Sequence, residues 1–456
     1  MTTHSLLAAP APAPGGRIRW GELYGSSLGL AVAELAGNAP SPVLVVAASS
    51  REAARLQTEI AFYATPGLPV RGLPGHETLP YDPFSPHPDI VSERLEALSA
   101  LPGLRRGVVV VAAETLLQRM PPRRFVEAHS FSLHRGERID LDAFRARLAA
   151  AGYAHVGQVM AHGEFAIRGS IVDLFPMGSK APLRLDLFDD EIESLRVFDP
   201  ETQRSGEPLD QLRLLPAREF PTTPEAVKGF RQRWRARFEG DPMRSPVYRF
   251  VSEGVAPAGI EYWLPLFFDR LETLFDYLPR GTTVVDTAGL GEAAPVIWAS
   301  IEERYEQRRH DIERPLLPPA DLYLEPGELS GCLERRACVT ATAVKVEPAT
   351  AAGPWHNFGT DRPPSLRLDP RADQPLEPLK GYLRSFDGRV LLAADSAGRR
   401  EVLLEMLREH ELEPQLVPGW QDFLAGVAPL AVTVAPDVGG LVLPAARVAL
   451  VAEEQL

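Results

Sequence analysis

Two short runs in this chain, 42–48 (PVLVVAA) and 108–113 (VVVVAA), are apolar at every position. A strand with one wet face alternates apolar and polar residues; a run without alternation needs cover on both faces. Helix signals flank both runs. After the first, Ser49 or Ser50 caps a helix through Arg51, Ala54, Leu56 and Ile60. Before the second, a helix over 89–101 places Ile90, Leu95 and Leu98 on one side. Strands alternating with helices in this way build a parallel sheet with helices packed on it, so the fold class is α/β. A chain of 456 residues is too long for one core, and about three domains are expected.

The pattern predicts a first α/β part over 17–128, behind a short disordered lead at 1–16 that lacks the features of a signal peptide. Over 129–215 the character changes to an inserted α+β domain. There Asp140 caps a helix with Leu141, Phe144 and Leu148 on one face, Gly152 ends it, and short alternating strands follow. The layer resumes over 216–350. It opens with a helical, aromatic stretch (Trp234, Phe238, Tyr248, Phe250, Tyr262, Trp263), then a strand at 282–286 and a helix over 295–309. Residues 351–375, rich in Pro, Gly and Asp, read as a linker. A small α/β domain over 376–456 closes the chain. In it a helix near 378–385 leads to a strand at 389–394, and Val402, Leu403, Met406 and Leu407 face the core from a helix over 398–410. Further strands are expected at Val432 and 448–451.

One strand of the insert has an unusual face. Over 183–188, Leu183, Leu185 and Leu187 point one way, and Arg184, Asp186 and Phe188 point the other. The leucines are core. The opposite face sets a phenylalanine among charges, where water should be, as on a surface that a partner covers.

Catalytic signatures are weak by comparison. Gly25-Ser26-Ser27-Leu28-Gly29 precedes a helical run at 30–36, as a phosphate loop would. Such a loop needs a lysine for the β/γ-phosphates. Leu28 stands where it belongs, and the only lysines are Lys180, Lys228, Lys345 and Lys380. The loop is therefore read as degenerate and inactive; a lysine-free nucleotide cradle, hence an α/β enzyme, is the rival reading. No HExxH occurs. His155 and His162 read as surface residues, Asp189-Asp190-Glu191 as a strand-connecting turn, and Ser396–Gly398 as a plain βα turn. Cys332 and Cys338 are too few for a disulfide framework or a four-cysteine zinc site, which fits a cytoplasmic location. No catalytic residue, metal site or cofactor is expected in this segment. A net charge of −13 argues against coating DNA through phosphate contacts. No run approaches the ~18–20 apolar residues of a membrane span, so no membrane partner is expected.

Four stretches carry a family resemblance: LPYDPFSPHPDIVSERLEAL (79–98), HGEFAIRGSIVDLFP (162–176), RLDLFDDEIESLRVFD (184–199) and AGIEYWLPLFF (258–268). They resemble the N-terminal region of the bacterial transcription-repair coupling factor (Mfd) family, whose first module is itself similar to UvrB. The likeness runs from about residue 17 to the end. It implies a UvrB-like parallel-sheet domain with an inserted α+β domain, followed by a small α/β domain. It also implies a full-length protein that is an ATP- and magnesium-dependent DNA translocase, releases RNA polymerase at a lesion and recruits UvrA. The domains for RNA polymerase and duplex DNA, and a regulatory C-terminal domain, would lie beyond Leu456; nothing in the chain matches a motor motif. In such modules the insert docks on UvrA through arginines on its strands. The family's residues fall on Arg168 in AIRG and on Arg184 and Phe188 in RLDLF, the face already singled out. The family's C-terminal domain would cover this surface intramolecularly. Two departures from UvrB follow: the lysine-free loop at 25–29, and a compact 76–89 segment with a single tyrosine, Tyr81, where UvrB carries a DNA-clamping, tyrosine-rich hairpin.

Overall fold

A computed structural model describes residues 5–350, 353–367 and 374–456. The chain opens with β1 (Arg17–Gly21), α1 (Ser27–Asn38), β2 (Val43–Ala47), α2 (Ser50–Tyr63), β3 (Val70–Leu73), α3 (Pro88–Ala100) and β4 (Val108–Ala112). Every residue of β2 and β4 is buried, as their unbroken apolar runs require. Full burial of each such Val or Leu contributes ~1.5–3 kcal/mol. Ser49 caps α2, its hydroxyl accepting from Glu52 N at 3.2 Å.

The insert comprises β5 (Phe131–His134), β6 (Ala154–His155), β7 (Glu164–Arg168), β8 (Ile171–Leu174), β9 (Leu183–Phe188), β10 (Glu191–Phe198), β11 (Ser205–Leu209) and β12 (Gln211–Leu214). Its first and last strands, β5 and β12, pair antiparallel from Phe131↔Leu214 to His134↔Gln211, so entry and exit lie side by side. The other six form a sheet in the order β11-β10-β9-β8-β7-β6. Asp140 caps the single helix, Leu141–Ala150, through Ala143 N at 2.7 Å, and Gly152 stands beyond its end at φ +89°.

The chain then packs a helical aromatic block around Trp234, Tyr248 and Trp263, and rejoins the layer through β13 (Thr283–Asp286), β14 (Cys338–Ala341) and β15 (Trp355–Asn357). The completed sheet is parallel, in the order β15-β1-β14-β13-β2-β4-β3. A second α/β unit adds β16 (Arg389–Ala394), β17 (Gln415–Leu416), β18 (Leu430–Val434), β19 (Leu441–Leu443) and β20 (Val448–Ala452), ordered β17-β18-β16-β20-β19.

Four expectations are corrected. The lead is not disordered over its described part. Leu6 N donates to Glu34 Oε1 at 2.7 Å, and Trp20 Nε1 donates to Pro10 O at 3.3 Å, which ties 5–16 to α1 and β1. The stretch 351–375 is more than a linker: β15 within it pairs with β1 as the edge of the main sheet, and Asp361 bridges Val442. Residues 1–4, 351–352 and 368–373 of these two stretches lie outside the described residues. The helix expected over 295–309 spans Leu290–Arg308, with Pro295 inside it. It starts early because the Asp286 carboxylate accepts from Leu290 N at 3.0 Å and Gly289 takes the left-handed conformation before it. Val402 is 65% exposed; Leu403, Leu404 and Leu407 carry the buried stripe of that helix. Sequence spacing alone left the stripe's phase open by one residue, and packing on β16 and β18 selects it.

Polar contacts tie α3 to the insert and to the chain just after it. Arg94 of α3, fully buried, donates from Nε to Glu219 Oε1 at 2.7 Å and from Nη1 to Pro74 O at 2.7 Å. Glu219 lies just after the insert, and His76 Nε2 approaches its other oxygen at 3.3 Å. His162 bridges the two parts, with Nδ1 2.6 Å from Asp89 Oδ1 and Nε2 2.8 Å from Ser179 O.

Candidate protein-docking site

The strand β9 alternates as its sequence demands: Leu183, Leu185 and Leu187 are at most 6% exposed, while Phe188 is 74% exposed. A β9–β10 turn with Asp189 at φ +57° follows Phe188 directly; Asp189 and Asp190 make the expected hairpin connection, while Glu191 already opens β10 opposite Phe188.

The two arginines share one carboxylate. Register places Asp173 of β8 opposite Arg184. Asp173 is 1% exposed, and its Oδ1 accepts from Arg184 Nε at 2.6 Å. Its Oδ2 accepts from Arg184 Nη2 at 2.9 Å and from Arg168 Nη2 at 2.6 Å. Gln203, left-handed at φ +60°, closes the cluster: Arg184 donates to its backbone and side-chain oxygens, both at 3.1 Å. The Arg184 guanidinium also lies over the Phe198 ring, 4.7 Å from its centroid. The hydrogen bond to Asp173 pushes the Arg184 pKa up, against the opposing effect of burial, so its charge is firmly held.

This geometry divides the labour among the expected residues. Arg184 has a side chain only 14% exposed and spends its donors internally; it is a clamp. Arg168, 50% exposed, touches Asp173 and Gln203 through Nη2 alone and turns the rest of its fork outward. Phe188 is the exposed apolar element. Sequence reading missed Asp173 and Gln203. The signal for Asp173 was present, since in 171–174 (IVDL) alternation sets it opposite Val172 and Leu174. Gln203 lies outside any strand, and no pattern announces it.

The loop Gly25–Gly29 is not open for phosphate. Ser26 and Ser27 are fully buried, and Leu28 is half-buried at the start of α1. Gly29 packs so closely on α2 that a Cβ there would stand 2.8 Å from Glu59 Cβ. The same five residues also spell Gly-x-Ser-x-Gly, a nucleophile pattern that sequence reading passed over. Ser27 cannot serve it: its hydroxyl is buried and donates to Tyr24 O at 2.7 Å, with Thr360 Oγ1 as its other neighbour. Tyr81 is 3% exposed and bonds Leu317 O at 3.0 Å among the rings of Tyr262 and Tyr305, so it presents no face for a base.

Among the described residues, no three His, Cys, Asp or Glu side chains group as metal ligands. Cys332 and Cys338 are free, buried thiols whose pKa values burial pushes up. Ser396 caps a βα turn through Arg399 N at 3.1 Å. Among the described residues, no helix is long and apolar enough to cross a membrane.

Comparison with known proteins matches a family model described as the UvrB interaction domain to residues 131–220, and one described as the MFD, D3 domain to residues 382–456. The transcription-repair-coupling factor of Escherichia coli (strain K12) is 44% identical over 398 residues, covering 87% of this chain and 34% of that protein. Its namesake in Haemophilus influenzae is 38% identical over 390 residues, 85% of this chain and 34% of the relative. That of Myxococcus xanthus is 31% identical over 331 residues, 68% and 27%. The chain spans about a third of the length of these curated relatives. With the interaction-domain match on the inserted sheet and the D3 match on the second α/β unit, the chain belongs to the transcription-repair-coupling factor family, as its N-terminal UvrB-like region and the small domain that follows.

Proposed function

We propose that this segment is a non-catalytic recruitment module that docks UvrA on the outer face of the inserted sheet, within a longer protein that uses ATP and magnesium to translocate on duplex DNA and release RNA polymerase. ATP, magnesium, DNA and RNA polymerase belong to the other domains of that protein, which acts in the cytoplasm. The observation that carries the docking reading is Phe188, three-quarters exposed at the end of a strand whose arginine is fixed by a buried carboxylate. A phenylalanine on the same strand face as a preorganised arginine pair has the composition of an interface hot spot: the ring fills an apolar pocket, and the outward fork of Arg168 meets a carboxylate.

Phe188→Ala is expected to cost about 1–3 kcal/mol of UvrA binding with the fold intact. Arg184→Ala is expected to cost a similar amount by a different route, since it leaves the buried Asp173 short of its principal partner and draws the Arg168 fork inward as the remaining arginine on it. Calorimetry or pull-down with purified UvrA reads both, and undiminished capture by the double variant would overturn the assignment. If the longer protein's C-terminal domain covers this face, the present segment binds UvrA more tightly than the intact protein, because a tethered competitor is absent. Equal affinities would count against such cover.

A further inference from the structure

The loop at 25–29 keeps the form of an anion cradle, a glycine turn opening a helix, yet what lies in it is main chain. Ser26, the N-cap of α1, donates its backbone N–H to Gly440 O at 2.9 Å and its hydroxyl to Gly439 O at 2.6 Å. With that proton committed, Ser26 Oγ accepts from Tyr63 OH, 2.6 Å away. Two carbonyl oxygens, the negative ends of peptide dipoles, thus sit at a helix N-terminus where a phosphate would sit.

Glycine is required on both sides of the contact. Gly25 is left-handed at φ +58°, and a Cβ there would collide with Gly440 O; a Cβ on Gly440 would collide with the Gln455 side chain. The surroundings seal the site. Trp420 meets Tyr63 edge-on at 5.0 Å, and Gln421 Nε2 donates to Tyr63 O at 2.9 Å. Glu59, fully buried, accepts from Gly439 N at 3.4 Å and from Arg55 Nη1 at 2.8 Å through Oε1, which ties α2 to the same segment.

We infer that the degenerate phosphate loop is a main-chain binding site whose ligand is the Gly439–Gly440 segment of the second α/β unit, held in cis in place of a nucleotide. The unit 376–456 thereby gains a role: it fills the nucleotide cradle and fastens itself to the UvrB-like layer by doing so. This inference is independent of UvrA docking.

The test uses the whole chain. Ser26→Ala removes the hydroxyl contacts, Gly25→Val and Gly440→Val obstruct the contact from opposite sides, and Gly289→Ala is the control: a left-handed glycine at φ +65° with open space where its Cβ would go. Amide hydrogen exchange is followed in β18 to β20 and in the insert, together with proteolysis across 358–376. Ser26→Ala and the valine variants are expected to speed exchange and cleavage at the second unit by about tenfold or more while the insert stays as protected as in wild type, and Gly289→Ala is expected to change neither. Magnesium-ATP is expected to give no binding heat with the wild-type chain. Wild-type exchange and cleavage in both Ser26→Ala and Gly25→Val would overturn the inference, as would ATP binding that protects the amides of 26–30.

Discussion

Arg94→Ala is expected to lower the unfolding free energy by about 3–5 kcal/mol, the cost of removing one member of a buried ion pair. Arg94 is fully buried and Glu219 is 4% exposed, so the carboxylate left behind would have no water and only His76, whose pKa burial pushes down, as a partner. The same guanidinium carries Pro74 O and Gln118 Oε1, so the variant also strands acceptors on the layer. Burial by itself would push the Glu219 pKa up, but Arg94 and His76 more than reverse this and hold it well below the ordinary range. A depressed carboxyl pKa stabilises the fold above the unfolded value near 4.5, and that stabilisation is lost as pH falls below it. Denaturant unfolding at pH 7 and pH 3 should therefore show a large deficit for Arg94→Ala at the first and a smaller one at the second. The double variant Arg94→Met/Glu219→Leu is expected to recover most of the loss, because it removes both charges at once. A deficit under about 1 kcal/mol for Arg94→Ala at pH 7 would contradict the account.

Glu59→Gln is expected to act in the opposite direction. Burial raises the Glu59 pKa from 4.5 to about 7, with Glu454 adding to the rise and Arg55 and the Gly439 N–H opposing it. Oε2 has no hydrogen-bond partner, so the ionised form is poorly supported. Between pH 4.5 and 7 the folded chain holds a proton that the unfolded chain has released, so stability falls as pH rises through that window. A neutral glutamine avoids the cost, and the variant should be about 2–3 kcal/mol more stable than wild type at pH 8 and similar to it near pH 4.5. Unfolding curves collected at intervals from pH 4.5 to 8 test this; parallel pH profiles for the two proteins would refute it.

The insert shows how far local pattern reaches. Alternation over 183–188 placed Phe188 on the wet side of its strand, and burial agrees. It also placed Arg184 on that side, but its partners come from β8 and from a turn beyond β10, and only sheet register brings them within 3.1 Å. A residue read as a hand for the partner is a clamp for its own sheet. The missing lysine likewise made the loop at 25–29 read as degenerate, while its contact with Gly439 and Gly440 was not legible.

The sequence by itself determined the parallel layer, the looped-out insert and the wet phenylalanine, because burial on one or both faces is written as a period in adjacent residues. Only the tertiary structure decided that Asp173 holds both arginines, that β15 edges the main sheet, and that Gly439 meets Ser26 across 413 positions of chain. Such contacts join short polar or glycine segments with no periodicity. They are fixed by where packed elements carry the backbone.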